Sequence, residues 1–318
     1  MTVSRIYHAL PSLVAGDRAL IVSTLAAQGL SLRDFARPSI WHMARYVLTC
    51  WTFVVLGSLA WTLSPLLTIV IFAFTQHAML LLTHEASHLS LLPHRAANYW
   101  FGNLFFALPI GQTVGSYAVT HAPHHRHVNT YQDTSFFLTN PELSQKRVLW
   151  ILLSLLCGRV VWDLFVRTWS GRRAEASIKT GGEEKVARVE RIRLVALVLF
   201  HAPIIAAAFY FDVLWIWIAW TASTITLVPF FDGIRSIAEH RKGRDDSQSF
   251  HTRSHHLNAV LSALCAPFFQ YHWEHHAVPA IPHHQLAKLH RILITAGIER
   301  ARPVAGGLPG AFLRGARG

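Results

Sequence analysis

Three short histidine clusters are the residues of this sequence best suited to do chemistry. They read HEASH, HAPHH and HWEHH, and together they contribute eight imidazoles. Spacings of three and four residues place side chains on one face of a helix, so each cluster is able to aim two or three imidazoles at one point. With 21 histidines in 318 residues, about 0.09 HxxHH matches are expected by chance, whereas two occur. The eight histidines are His84, His88, His121, His124, His125, His272, His275 and His276.

Eight imidazoles exceed the roughly four to six ligands that one transition-metal ion takes, so the clusters predict two metal ions. Imidazole suits iron, zinc and copper alike. The cysteines Cys50, Cys157 and Cys265 stand apart from one another, which argues against an iron–sulfur cluster. Acidic residues are scarce, which argues against a carboxylate-bridged metal pair in a helical bundle. Zinc would serve hydrolysis, whereas iron would serve oxygen chemistry.

Two other functions compete for the first cluster. HEASH fits the HExxH pattern of zinc hydrolases, in which two histidines hold zinc and the glutamate is the general base. An intramembrane zinc metalloprotease is therefore an alternative, and Asp232 before Gly233 resembles the third ligand of such enzymes. A protease has no use for two further HxxHH clusters, however. A metal transporter is the other alternative, although transport would favour polar ligands inside membrane spans.

The elements that must position these histidines are membrane helices. The chain is 52% hydrophobic and only 14% charged, which is typical of a membrane protein. Residues 46–83 contain no charged side chain, and residues 194–231 contain only Asp212. Each stretch is about twice the ~20 residues that a spanning helix needs, with a turn signal at its middle. We expect an all-α, integral membrane fold of one domain over residues 1–318, with four transmembrane helices in two hairpins, near 46–64, 65–83, 194–212 and 213–231.

The basic residues predict the orientation of these helices. All 29 Lys and Arg residues lie outside the apolar stretches: five in residues 1–45, thirteen in 84–193 and eleven in 232–318. The positive-inside rule then puts both termini and the histidine clusters on the cytoplasmic side, as a helical cap. The net charge of +12 therefore reflects membrane orientation rather than nucleic acid binding. Two shorter apolar runs, 101–110 and 148–157, are expected to be interfacial or re-entrant.

In this order, and with these spans before and between them, the three clusters are similar to the histidine boxes of the membrane fatty acid desaturase and hydroxylase superfamily. The resemblance extends from about residue 40 to 292 and includes the segment YHWEHHAVPAIP from Tyr271 to Pro282. It implies a non-haem di-iron centre that uses O2 as co-substrate and removes hydrogen from an unactivated C–H bond of an acyl chain. A ferredoxin-type or cytochrome-type donor, with its reductase, would supply two electrons.

The resemblance also implies a ninth ligand, His240, shortly after the fourth span. Glu85, Glu239 and Glu274 adjoin box histidines, so we expect them to orient imidazoles through the ring nitrogen that does not bind metal. The predicted reaction is oxygen-dependent desaturation of a fatty acyl chain in the bilayer. Hydroxylation of a lipid or acyl substrate, which shares the first hydrogen abstraction, remains an alternative.

Overall fold

The structure is a computed structural model, and it describes residues 10–159, 162, 183–243, 246, 251–257 and 270–317. Within these residues the chain is helical and forms no strand, which confirms the predicted fold class. The helices, in chain order, are α1 (Leu10–Ala26), α2 (Ile40–Ala60), α3 (Pro65–Ser87), α4 (Arg95–Gly102), α5 (Val114–His127), α6 (Phe136–Thr139), α7 (Gln145–Leu156), α8 (Glu183–Tyr210), α9 (Leu214–Ile225), α10 (Leu227–His240), α11 (His272–Ala277), α12 (His283–Thr295) and α13 (Gly307–Ala316).

Four helical stretches in the described residues are long and apolar enough to cross a membrane, the number that the sequence predicts. Their ends differ from the predicted ones, because hydropathy marks the apolar part of a helix and not the caps where it begins and ends. The second candidate span therefore continues past residue 83 and carries His84 inside the helix. The four stretches are Ile40–Ala60, Pro65–Ser87, Val186–Tyr210 and Leu214–His240.

The first two candidate spans pack closely against each other. The chain turns between them at Ser64, whose hydroxyl accepts a hydrogen bond from the amide of Leu67 and caps α3 ahead of the proline at its first position. Thr68 Oγ1 donates to the carbonyl of Gly57 at 2.9 Å. A Cβ at Gly57 would lie 2.7 Å from the Phe72 ring, so glycine is what permits this close approach of α2 and α3.

The last two candidate spans meet at the predicted turn signal Asp212. This residue has a φ of 56°, a left-handed conformation that Asp tolerates because its short polar side chain is able to bond locally. After the turn, α9 and α10 are separated at Thr226, so the fourth candidate span is a broken helix. α10 ends at His240, which places this histidine at the same end of the span as the charged residues that follow it.

A short segment after α4 reaches the candidate spans. It consists of a π-helical turn, Asn103–Ala107, and a 3-10 turn, Leu108–Ile110. Trp220 Nε1 donates to the carbonyl of Pro109 at 2.7 Å, and His201 Nε2 lies 2.9 Å from the carbonyl of Leu108. Because His201 and Trp220 belong to candidate spans, these contacts support the re-entrant alternative for residues 101–110.

The third histidine box has an apolar core of its own outside the candidate spans. In this core the indole of Trp273 is 1% exposed and packs with residues of α1 and α12. Asp17 of α1 accepts a hydrogen bond from Trp273 Nε1 at 2.8 Å. The short helix α11 is thus held from the side opposite to its histidines by burial and by one buried hydrogen bond.

Candidate metal centre

The structure brings all nine predicted histidines together in two adjoining groups. Each residue offers one ring nitrogen, and within a group these atoms all lie within 4.8 Å of one another. The first box comes from the end of α3, the second from α5, the third from α11, and the ninth histidine ends α10. Group one is His84, His88, His121, His125 and His275; group two is His124, His240, His272 and His276.

In group one the Nε2 atoms converge from three helices. His275 Nε2 lies 3.1 Å from that of His84 and 3.3 Å from that of His125. The Nε2 atoms of His84 and His88 are 3.3 Å apart. His121 Nε2 is buried and has no hydrogen-bond partner in the described part of the chain. These nitrogens therefore share a small polar space that no other side chain of the group fills.

In group two the hydrogen bonds define which ring nitrogens are bare. His124 Nδ1 is 2.8 Å from a carboxylate oxygen of Asp133, and His240 Nδ1 is 3.3 Å from the carbonyl oxygen of His251. Both oxygens only accept, so each Nδ1 carries the proton and each Nε2 of the neutral ring presents a lone pair. These two Nε2 atoms are 3.2 Å apart. Two lone pairs at this distance repel each other unless a cation lies beside them.

The remaining distances fit the same interpretation. His272 Nε2 lies 2.7 Å from His240 Nε2, and His276 Nε2 is buried without a hydrogen-bond partner among the described residues. Two nitrogens about 2.1 Å from one metal ion stand about 3.0 Å apart at a right angle and about 3.4 Å apart at a tetrahedral angle. The Nε2 separations in both groups lie close to these values. The residues present therefore fit one metal ion in each group.

The protonation of the third box also suits metal binding. Burial, and secondarily the neighbouring charged and imidazole groups, hold the pKa values of His272, His275 and His276 well below the usual histidine range. Neutral imidazole is the form that binds metals, because a protonated ring has no free lone pair.

Sequence reasoning missed the polar groups that hold group two in position. Asp133 is fully buried and accepts hydrogen bonds from the amides of Asn129 and Ser135, each at 2.8 Å, as well as from His124. Asn129 donates through Nδ2 to the carbonyls of His240 and His251, at 2.8 and 3.0 Å. The only signal in the sequence is an isolated aspartate nine residues after His124.

The predicted role of the three glutamates is wrong for two of them. Glu85 accepts from Ser90 Oγ at 3.0 Å and from the backbone amide of His283 at 3.2 Å. Glu274 contacts His290 Nδ1 and accepts from Ser254 Oγ at 2.6 Å. Adjacent residues of a helix point about 100° apart, so a glutamate next to a box histidine faces away from it.

Glu239 differs from the other two glutamates. Its Oε2 lies 3.3 Å from His272 Nε2, the same nitrogen that faces group two, and 2.9 Å from a guanidinium nitrogen of Arg235. The carboxylate is thus on the side of the group where a metal would bind. It does not orient His272 through the opposite ring nitrogen.

The site does not have the arrangement that a zinc hydrolase needs. Asp232, the candidate third ligand, is paired with Arg235 at 2.9 Å and belongs to neither histidine group. Glu85 is committed to Ser90 and His283 and does not stand beside His84 as a general base would. The described geometry thus leaves the HExxH pattern without its third ligand and its base.

Comparison with known proteins agrees with this geometry. The family model described as fatty acid desaturase matches residues 59–304, which include all three boxes and His240. The chain is also similar to dihydrorhizobitoxine desaturase from Bradyrhizobium elkanii, with 26% identity over 275 residues that cover 81% of this chain and 75% of the relative. Because the match extends over most of its length, the chain belongs to the fatty acid desaturase family.

Proposed function

We propose that this protein is a membrane-bound, oxygen-dependent desaturase that holds two iron ions, one in each histidine group, and introduces a double bond into a fatty acyl chain. The observation that carries the metal site is the pair of bare Nε2 atoms of His124 and His240, 3.2 Å apart. Family membership and the name of the relative support oxidative chemistry over hydrolysis.

The reaction removes one hydrogen atom from each of two adjacent carbons while O2 is reduced to two water molecules, with two electrons and two protons supplied from outside the substrate. Iron, when bound, would supply the activation of O2. The nine histidines hold the metal, and the Asp133 carboxylate and the His251 carbonyl hold the proton on the Nδ1 atoms of His124 and His240. Burial of all four histidines of group two excludes water from that side of the reaction.

The proposed arrangement in the membrane is two helical hairpins with the histidine-bearing helix ends, both termini and a helical cap on the cytoplasmic side. It is supported by the absence of Lys and Arg between residues 46 and 83 and between 194 and 231. Cysteines introduced at Ser64 and Asp212, the turns between the candidate spans, should react from the side opposite to a cysteine at Arg126. Reaction of all three positions from one side would contradict the arrangement.

The electrons should come from a separate ferredoxin-type or cytochrome-type protein with its reductase. Purified desaturase should therefore turn over only when such a pair is added. Turnover at an undiminished rate without any electron-transfer protein would contradict this part of the proposal.

The proposed reaction is tested by expressing the protein with a compatible electron donor and analysing products by mass spectrometry. The substrate panel should contain acyl lipids, acyl conjugates and dihydrorhizobitoxine, the compound in the name of the relative. His275→Ala serves as the inactive variant, and His127→Ala as the matched control, because His127 lies in the second box but in neither group. A His275-dependent product lighter by two hydrogens supports desaturation. A product heavier by one oxygen supports hydroxylation instead, and no His275-dependent product across the panel would contradict both.

A further inference from the structure

Two adjoining cavities lie among the candidate membrane spans, away from the histidine groups. Their volumes are about 320 and 430 Å³, within the range of small-molecule sites. Residues of α8, α9 and the re-entrant segment line both, and none of the nine histidines of the metal centre does. The two cavities share four lining residues, Pro109, His201, Trp217 and Trp220. These four residues therefore form the junction between the cavities.

The junction lies deep within the apolar part of the helices. His201 is nine residues before Tyr210, the end of its candidate span, which is roughly 14 Å at 1.5 Å per residue. Gln76 Nε2 donates to the carbonyl of Trp220 at 2.8 Å, and Gln76 precedes His84 on α3 by eight residues, or roughly 12 Å. The junction is thus both distant from the ends of the span and separate from the metal centre.

Two polar atoms at this junction are left without partners. His201 Nε2–H donates to the carbonyl of Leu108, so Nδ1 of the same ring presents a lone pair. Neither this Nδ1 nor the Nε1–H of Trp217 has a hydrogen-bond partner among the described residues, although both atoms are buried. Unpaired polar atoms are costly in a hydrocarbon environment, where no bulk water satisfies them. One is an acceptor and the other a donor, so a single group that both donates and accepts would satisfy the two together.

We propose that the junction binds a membrane-dissolved lipid that carries a free hydroxyl group. The hydroxyl proton is donated to His201 Nδ1, the hydroxyl oxygen accepts from Trp217 Nε1–H, and the apolar body of the lipid fills the cavities. A charged headgroup does not fit, because no Asp, Glu, Lys or Arg is among the described residues that line either cavity. This inference rests on the membrane placement proposed above and is independent of the reaction at the metal centre.

The competing occupant is a single ordered water molecule, which is also able to pair with one donor and one acceptor. The two are separated with the full-length protein in lipid nanodiscs and two photoreactive probes: a long-chain primary alcohol with a diazirine and an alkyne, and the same chain without its hydroxyl. Peptide mass spectrometry then locates the labelled residues. The wild-type protein should be labelled at the cavity residues about tenfold more by the alcohol than by the alkane, as expected for a buried hydrogen bond of roughly 1.4 kcal/mol.

Three variants complete the test. His201→Phe and Trp217→Phe should each lose the preference for the alcohol, whereas Trp215→Phe should keep it, because Trp215 stacks on Trp61 and lines neither cavity. Iron content should equal that of the wild type in all three, which separates this site from the metal centre. Equal labelling of the wild-type cavity by both probes, or no labelling there, overturns the proposal and leaves water as the occupant; this comparison does not depend on whether a variant folds.

Discussion

The most informative single substitution in the metal centre is Asp133→Asn. In the wild type the carboxylate accepts three hydrogen bonds of 2.8 Å, from His124 Nδ1 and from the amides of Asn129 and Ser135. An asparagine that keeps its oxygen toward His124 turns its NH2 group toward the amide of Asn129. This leaves a buried N–H without an acceptor, which costs about 1–3 kcal/mol.

The other orientation of the asparagine acts on the metal site directly. Its NH2 group would then face His124 Nδ1, which would have to accept, so the proton of the ring would move to Nε2, the atom that lies 3.2 Å from His240 Nε2. Loss of such an orienting partner typically lowers metal affinity 10–100-fold, which corresponds to about 1.4–2.8 kcal/mol. The costs of the two orientations are similar, so neither offers the variant an escape. We expect Asp133→Asn to weaken iron binding in group two by about 10–100-fold.

The assay is the iron content of purified protein after equilibration with a series of chelator concentrations. Asp212→Asn is the matched control, because it makes the same chemical change at an exposed turn where asparagine also tolerates the observed φ of 56°. The control should follow the wild-type curve. An Asp133→Asn protein that retains both iron ions along the wild-type curve would refute the reasoning.

Three further substitutions test other parts of the site. His240→Ala should reduce bound iron from two ions to about one, whereas His255→Ala, at an equally buried histidine outside both groups, should leave it unchanged when measured by metal analysis. Glu85→Gln should keep the full iron content, because this carboxylate is not a ligand; loss of a demonstrable proteolytic activity in this variant would instead support the zinc hydrolase. Gly102→Ala should lower the free energy of unfolding by about 1–3 kcal/mol in chemical denaturation, because its Cβ would lie 2.6 Å from that of Ala86 beside the first box; wild-type stability would show that α4 shifts freely.

The sequence predicted the groups of histidines better than their surroundings. The spacing of three and four residues determines which faces of α3, α5 and α11 carry imidazoles, so convergence of the three boxes followed from the motifs alone. His240 stands alone in the sequence, and only the family resemblance pointed to it. The allocation of histidines to groups was not predictable, since His124 and His125 are neighbours in the chain and belong to different groups.

The missed polar contacts depend on loops whose course a helical period does not describe. Asp133 reaches His124 because the chain turns back after α5 with Asn129 at a φ of 58°. The glutamates were assigned to box histidines from proximity in sequence. Glu85 and Glu274 instead contact His283 and His290, which come together with them only through the packing of α12.

The two cavities also lay beyond sequence reasoning. Residues 194–231 predicted two apolar helices, but hydropathy is blind to the space left between them when they pack. The unpaired atoms of His201 and Trp217 become visible only once the carbonyl of Leu108 is seen to occupy the other nitrogen of the imidazole. Apolar spans and metal ligands leave strong patterns in a sequence, whereas cavities do not.

Metal analysis of the purified full-length protein tests the central claim most directly. Nine histidines in two groups, with Nε2 atoms 2.7–3.3 Å apart, predict two iron ions per chain. Measurement by inductively coupled plasma mass spectrometry against protein concentration, after expression with both iron and zinc supplied, should return this ratio. One zinc ion per chain with no iron would contradict the account.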